Sequence, residues 1–438
     1  MIGLETFIPF LLVLRILSAM KYSKDNSLFF NNQKYIKLFG LELIFVFLLF
    51  SCHSNDRISS IHSNMNNQNL LSDSLSVGAD NINELIKWMP TIQELNIAIV
   101  GNQSSMFSNG THLVDSLLIL KYKVTKVFSP EHGFRGAASA GEKVASSKDL
   151  KTGLPIVSLY GSHKKPTPED LKGIDLMIFD IQDVGVRFYT YISTLHYVME
   201  ACAENNVSLV ILDRPNPNGD YVDGPILEAE HKSFVGMHPV PIVHGMTIGE
   251  YGRMINGEFW LKDSLQCTLK VIPCQNYNHQ MHYSLPVAPS PNLRSDASIR
   301  LYPSLCLFEA TDVSVGRGTS KPFEWFGHPF FPESSVSFIP ESIRGAAHPK
   351  HEGSRCYAIQ PQIDPSEKGL NLSHLLKAQS FLKGQTFITK KSFFIKLAGT
   401  EKLYNQILSG MDEQQIRESW QEGLARFKKM RENYLLYD

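Results

Sequence analysis

Strand-like apolar runs recur at residues 97–100, 124–128, 176–179 and 209–212, and each stops at a Gly, Ser or Asp. Runs this short, bounded by turn-forming residues, predict buried strands rather than helices. Residues 111–121, 190–204 and 247–256 instead place apolar side chains at helical spacing. Thr247-Ile-Gly-Glu250 fits a capping box, in which a Thr and the Glu three residues later satisfy free amides at a helix start. This alternation predicts an α/β fold with a largely parallel sheet covered on both faces. The four or five repeats are too few for an eightfold barrel.

Polar groups gather just beyond these strands: Gly101-Asn-Gln-Ser after the first, Pro130-Glu-His-Gly after the second, Gln182-Asp183 after the third and Arg214-Pro-Asn-Pro-Asn after the fourth. In an open α/β sheet the strands' carboxyl ends line one crevice, where ligands bind. The pattern changes at Pro273. Pro and Gly are frequent from there to residue 349, which predicts loops crossing to another domain. Residues 355–363 then alternate like a strand, 370–382 are helical, and 411–437 form a charged amphipathic pattern. We expect a catalytic domain over 83–295 and a smaller C-terminal α/β domain over 296–438 that lends loops to the cleft.

Lys34 and Lys37 precede an apolar stretch at 38–50 that ends in Leu49-Phe-Ser-Cys52, the layout of a secretory signal. Leu-x-Ser-Cys resembles a bacterial lipobox, which would make Cys52 the lipidated first mature residue. Met20 is a more natural start for such a signal than Met1. A cleaved signal and a membrane anchor are the alternatives, although a span wants roughly 20 apolar residues. Residues 53–82 are rich in Ser and Asn and predict a flexible tether. The expected location is the cell envelope, with the membrane held through the lipid.

With 438 residues, 43% apolar and 19% charged, the chain has room for two domains and a sizeable core. A net charge of −1, and no basic run interleaved with aromatics, argue against nucleic acid as a partner. Five cysteines follow Cys52 without C-x-x-C spacing, so neither a disulfide framework nor a zinc site is indicated. Cys267 and Cys274 could pair in an oxidising compartment; buried free thiols are the favoured state.

Glu131 stands between a strand and a Gly-opened turn, beside His132 and Arg135, so it is either a buried acid suited to protonating a leaving oxygen or a solvated turn residue. Asp180 to Tyr191 supplies Asp183, Arg187, Tyr189 and Tyr191, with the Arg and first Tyr as substrate-positioning candidates. Asp213-Arg-Pro-Asn-Pro-Asn-Gly-Asp220 has the composition of a turn, yet Asn216 and Asn218 could meet sugar hydroxyls. His238 and His244 are six residues apart, about 20 Å on a strand, too far to share a metal. No metal is expected. Gly316-Arg-Gly-Thr319 sets backbone amides beside Arg317, which suits a carboxylate or phosphate, or is a flexible surface loop. Neither a Walker loop nor a Gly-x-Gly-x-x-Gly follows the first strand, so no cofactor is expected.

Ser129-Pro-Glu-His-Gly-Phe-Arg-Gly136, Phe179 to Tyr191, Asp213-Arg-Pro-Asn-Pro217, Asp223-Gly-Pro-Ile-Leu-Glu228, His244-Gly-Met-Thr-Ile-Gly-Glu250, Ser314-Val-Gly-Arg-Gly-Thr319 and the closing Arg431-Glu-Asn-Tyr-Leu-Leu-Tyr437 occur in one order. Together they closely resemble the bacterial DUF1343 family, the NamZ exo-β-N-acetylmuramidases, over roughly residues 83–438. The resemblance implies a Rossmann-like domain with an auxiliary C-terminal domain, and release of N-acetylmuramic acid from non-reducing ends of peptidoglycan-derived muramyl glycans. It also implies that Glu131 is the catalytic acid. For the second carboxylate the order of preference is Glu309, Asp183, Glu228. Arg317 or Arg187 would pair with the lactyl carboxylate, Tyr189 and Tyr191 would hold the sugar, and His132, Arg135, Asn216, His244 and Thr319 complete the candidate contacts. A non-catalytic glycan-binding lipoprotein and an esterase or deacetylase are the rival classes; the serine elbow Gly-x-Ser-x-Gly is absent.

Overall fold

The computed structural model describes residues 74–136, 147–364 and 366–438. Its centre is a seven-stranded sheet in the order β3-β4-β2-β1-β5-β6-β7. The strands are β1 (Ile97–Gly101), β2 (Val124–Ser129), β3 (Ser147–Lys148), β4 (Pro155–Ser158), β5 (Leu176–Asp180), β6 (Ser208–Leu212) and β7 (Leu269–Ile272). Every pairing is parallel except that of β3 with β4. The chain builds β2 and β4 to one side of β1, then crosses to lay β5, β6 and β7 on the other. That reversal is the kind of point at which open α/β sheets bind ligands.

Period-two alternation decides which residue faces which layer. Ala98, Val100, Met177, Phe179, Leu209 and Ile211 join one core, with the helices Tyr191–Glu204 and Ile248–Gly257. Ile97, Ile99, Leu176, Ile178, Val210 and Leu212 join the other, with the helix Leu113–Ile119. Thr247 and Glu250 form the expected capping box, Thr247 N–H donating to the Glu250 carboxylate at 2.9 Å and Glu250 N–H to Thr247 Oγ1 at 3.3 Å.

Residues 74–82, expected in the tether, are instead part of the fold. Val77, Ala79 and Ile82 are buried, Ser76 bridges to Gln275, and Gly78 N–H donates to the Asp213 carbonyl at 2.7 Å. A side chain at Gly78 would meet Asp213 N at 2.3 Å, which is why only glycine fits there. The segment is polar by composition, and its few apolar groups order because a ready-made core accepts them.

Beyond β7 lie a three-stranded antiparallel sheet, β8 (Phe326–His328), β10 (Cys356–Ile359) and β9 (Ser337–Phe338), and five helices from Ser373 to Arg431. Phe308, Phe326, Leu375, Phe394, Ile416 and Phe427 share one apolar core with β1, β5 and β6. The 411–437 pattern, continuous in sequence, breaks into Glu413–Glu418 and Gln421–Arg431. All five cysteines of the described residues are buried free thiols.

Candidate active site

At the carboxyl edge of the sheet a cavity of 560 Å³ opens between the strand ends and the C-terminal segment. Glu131 lines its sheet side. The chain leaves β2 through Pro130 and turns at once, because His132 and Gly133 are both left-handed, with φ of 72° and 78°. A positive φ is uncommon for any residue but glycine, although histidine adopts it more readily than most. The turn closes with Gly133 N–H donating to the Pro130 carbonyl at 3.2 Å. Tyr160, beyond β4, lines the same side; burial, and then the charge and hydrogen bond of Glu131, push its phenol up to about 12.

Tyr189 and Tyr191 form an aromatic edge here, their rings 4.9 Å apart at 77°. The Tyr191 hydroxyl accepts from Asn102 Nδ2 at 3.0 Å and donates to the Pro289 carbonyl at 3.3 Å, which fixes its ring. Tyr302, edge-on to Tyr189 at 5.9 Å and to Phe323 at 5.1 Å, extends the wall.

The C-terminal segment contributes Glu309 to the lining, near the end of the 3-10 turn Cys306–Ala310. Arg317 holds it, Nε donating to Oε1 at 2.7 Å, with the guanidinium 5.1 Å over the Phe323 ring. Arg317 reaches this position because Gly316 is left-handed at φ 73° and packs where a side chain would strike Trp325. Lys350 braces the same loop, donating to the carbonyls of Phe308, Thr311 and Val313 at 2.8, 2.5 and 3.1 Å. Its burial lowers the ammonium to about 8. Two carboxylates, Glu131 and Glu309, thus line one cavity whose remaining walls mix aromatic and aliphatic side chains with polar ones such as Ser290, Asn292, Arg317, His348 and Lys350.

Two family models of the exo-β-N-acetylmuramidase NamZ match the chain, the N-terminal one over residues 97–297 and the C-terminal one over 300–437. The peptidoglycan β-N-acetylmuramidase NamZ of Bacillus subtilis (strain 168) is 41% identical over 335 residues, which cover 72% of this chain and 80% of that protein. The chain belongs to the NamZ family. Two crystal structures of DUF1343 family proteins from Bacteroides fragilis share the fold. One has a TM-score of 0.76 and 43% identity over 83% of this chain and 99% of its own; the other has 0.73 and 25% over 84% and 100%.

On this NamZ scaffold the structure brings together Glu131, His132, Tyr189, Tyr191, Glu309 and Arg317 around the cavity. Other candidates are placed elsewhere. Arg187, expected at the substrate, is fully buried, and its guanidinium donates to the carbonyls of Pro225, Val240, Leu397 and Ala398 at 2.7–2.9 Å. It ties the sheet to the C-terminal helix Lys391–Ala398. Arg135 pairs with Asp149 at 2.8 Å and Asp115 at 3.0 Å, away from the cavity. Asn216 is consumed locally, Nδ2 donating to the Met246 carbonyl and Oδ1 accepting from Asn218 N–H. Asn218 donates to the Val184 and Ile299 carbonyls. Thr319 closes its own loop on the Gly316 carbonyl at 2.6 Å and accepts from Trp325 Nε1. Glu228 lies beside His231 in a separate groove.

Asp183 is buried next to the site but does not line it: Oδ2 accepts from Gly185 N–H at 2.7 Å, Oδ1 is buried without a partner, and burial pushes the carboxyl up to about 7. His244 is fully buried, and desolvation lowers it to about 3. The 20 Å spacing expected between His238 and His244 does not hold, because residues 237–245 form no strand. Their rings flank Tyr251, at 5.5 and 4.8 Å. His238 hydrogen-bonds Tyr251 and His196 at 3.0 and 2.9 Å.

Sequence reading missed Tyr160, Tyr302 and Lys350. Tyr160 had a signal, since it follows a fifth apolar run, 155–159, at the position where polar groups followed the other four; the last two lie in or after the Pro/Gly-rich stretch, which has no period to read. Among the described residues Asp312, His328 and His351 also bring ligand-type atoms together. Phe330 N–H donates to His328 Nδ1 at 3.1 Å, so the ring proton is on Nε2 and points at Asp312 Oδ2, 3.0 Å away. A metal-binding histidine has the reverse arrangement, a bare ligating nitrogen with the other donating. This trio is therefore a hydrogen-bonded brace beside Lys350.

Proposed function

We infer that the chain is an exo-acting glycosidase that releases N-acetylmuramic acid from non-reducing ends of peptidoglycan fragments, with Glu131 as the acid that protonates the leaving oxygen. Two carboxylates lining one cavity, Glu131 from the turn after β2 and Glu309 from the C-terminal segment, are the observation that carries the reading. Glycoside hydrolysis uses one carboxyl to protonate the departing oxygen and another to activate water or attack the anomeric carbon. Glu309, held as an ion pair by Arg317, takes the second role. Tyr189 and Tyr191 present a rigid aromatic edge to the sugar. Arg317 points Nε and Nη2 at Glu309. Its Nη1 is left to pair with the lactyl carboxylate, which an N-acetylglucosaminide lacks.

Incubating the purified protein with a chromogenic N-acetylmuramide tests this, because only a glycosidase releases the aglycone. A glycan-binding protein or a deacetylase would leave it attached, and equal turnover of the matching glucosaminide would remove Arg317 as the selector.

The enzyme works in the cell envelope. We place it there through a lipid on Cys52, supported by the apolar run and Leu49-Phe-Ser-Cys52, which lie outside the described residues. Among the described residues no helix is long and apolar enough to cross a membrane. A Cys52→Ala protein still labelled with fatty acid would overturn the anchor.

A further inference from the structure

We propose that Tyr160 is a positioning residue for the Glu131 carboxyl, a role that rests on Glu131 being the acid of the proposed reaction. The placement follows from strand register. β2 and β4 run parallel with Phe128 opposite Val157 and Ser129 opposite Ser158. The ladder continues one step further, with Leu159 N–H donating to the Ser129 carbonyl at 2.8 Å. Glu131 and Tyr160 therefore each stand two residues past the same rung, just beyond the ends of neighbouring strands, and both line the cavity. The Tyr160 hydroxyl donates to the Glu131 carboxyl.

The backbone alone cannot aim this acid. His132 and Gly133 fix where the main chain goes, but a Glu side chain retains three rotatable bonds. A phenol held just past the end of the next strand removes that freedom: it binds one carboxyl oxygen and turns the other, which carries the proton, toward the leaving group. Misplacing a reacting group by about 1 Å can cost 10²-fold in rate. Tyr160 is half-buried, so deleting only its oxygen leaves the packing in place.

The test is Tyr160→Phe alone and combined with Glu131→Gln, assayed on an unactivated muramyl disaccharide and on a muramide with an acidic phenol as leaving group, with thermal melts to confirm folding. Tyr160→Phe is expected to lower kcat about 10–100-fold on the disaccharide, with KM within about twofold, and to lose much less on the phenol. It should lose nothing further in the Glu131→Gln background, because two residues acting as one unit are not additive. A raised KM with unchanged kcat would make Tyr160 a substrate contact and overturn the proposal, as would equal losses on both substrates or losses that multiply in the double variant. Wild-type kinetics for Tyr160→Phe beside a crippled Glu131→Gln would sink Tyr160 alone. A fully active Glu131→Gln would sink the acid assignment itself.

Discussion

Glu131 owes its position to the two consecutive left-handed residues that follow it, and the acid role proposed for it depends on one proton. Replacement by Gln keeps the shape and removes that proton, so Glu131→Gln should lose on the order of 10²–10⁴-fold on an unactivated disaccharide. An acidic phenol leaving group needs little protonation and should lose far less; equal loss on the two would make Glu131 a nucleophile or base. Asp183 gives a second test at this scale, because the fold holds it near 7 by burial while the unfolded chain ionises it near 3.8. Between those values the folded state keeps a proton that the unfolded state has released, so stability falls as pH rises through the window, and the cost is complete above about 7. Asp183→Asn keeps the acceptor for Gly185 N–H and abolishes that cost. Its melting temperature should therefore gain on wild type between pH 5 and pH 8, by a few kcal/mol of stability at most. A gap that ignores pH would show that burial does not govern this carboxyl.

The elements that carry the proposed catalytic groups are turns more than helices or strands. Glu309 sits on a single 3-10 turn, too short to hold a carboxylate by itself, and Lys350 secures it from the outside through three carbonyls. Lys350→Met fills much of the same volume with no donor. Leaving buried acceptors unpaired costs about 1–3 kcal/mol, and kcat should fall about tenfold or more as Glu309 drifts. A variant that melts lower yet turns over normally would confine Lys350 to stability. The helices were legible beforehand because their apolar spacing is local, and Thr247-Ile-Gly-Glu250 formed its box because both partners lie within one turn. Residues 411–437 read as one element and are two, since amphipathic spacing continues across Ser419 and Trp420 although the helix does not.

At the scale of the molecule, the last residues clasp the sheet. The Tyr437 hydroxyl donates to Asp213 at 2.7 Å, Leu436 N–H donates to Glu250 at 2.8 Å, and Arg253 donates to the Tyr434 carbonyl at 2.8 Å. Asp213 lies at the end of β6 and is buried, which pushes it up to about 6, so each donor it loses is costly. Tyr437→Phe should cost about 1.5–3 kcal/mol in denaturant unfolding, with activity per folded molecule retained. An unchanged midpoint would show that the tail only covers the surface.

The chain by itself determined four of the seven strands of the main sheet (β1, β2, β5 and β6), the main helices and the strand-end turn that carries Glu131, because each depends on neighbours within a few residues. It also carried a motif order specific enough to point to the family. Which polar groups face the cavity was decided only by the tertiary structure. Arg187 and Arg317 look alike in sequence, yet one is spent on four buried carbonyls and the other holds Glu309 in the lining of the cavity that Glu131 also lines. Glu131 and Tyr160 meet because β2 and β4 pair in register, and Glu309 joins them because the C-terminal segment folds back over the sheet edge. Those contacts depend on sheet order and on long loop closures, and neither leaves a periodic mark in the sequence for local physics to read.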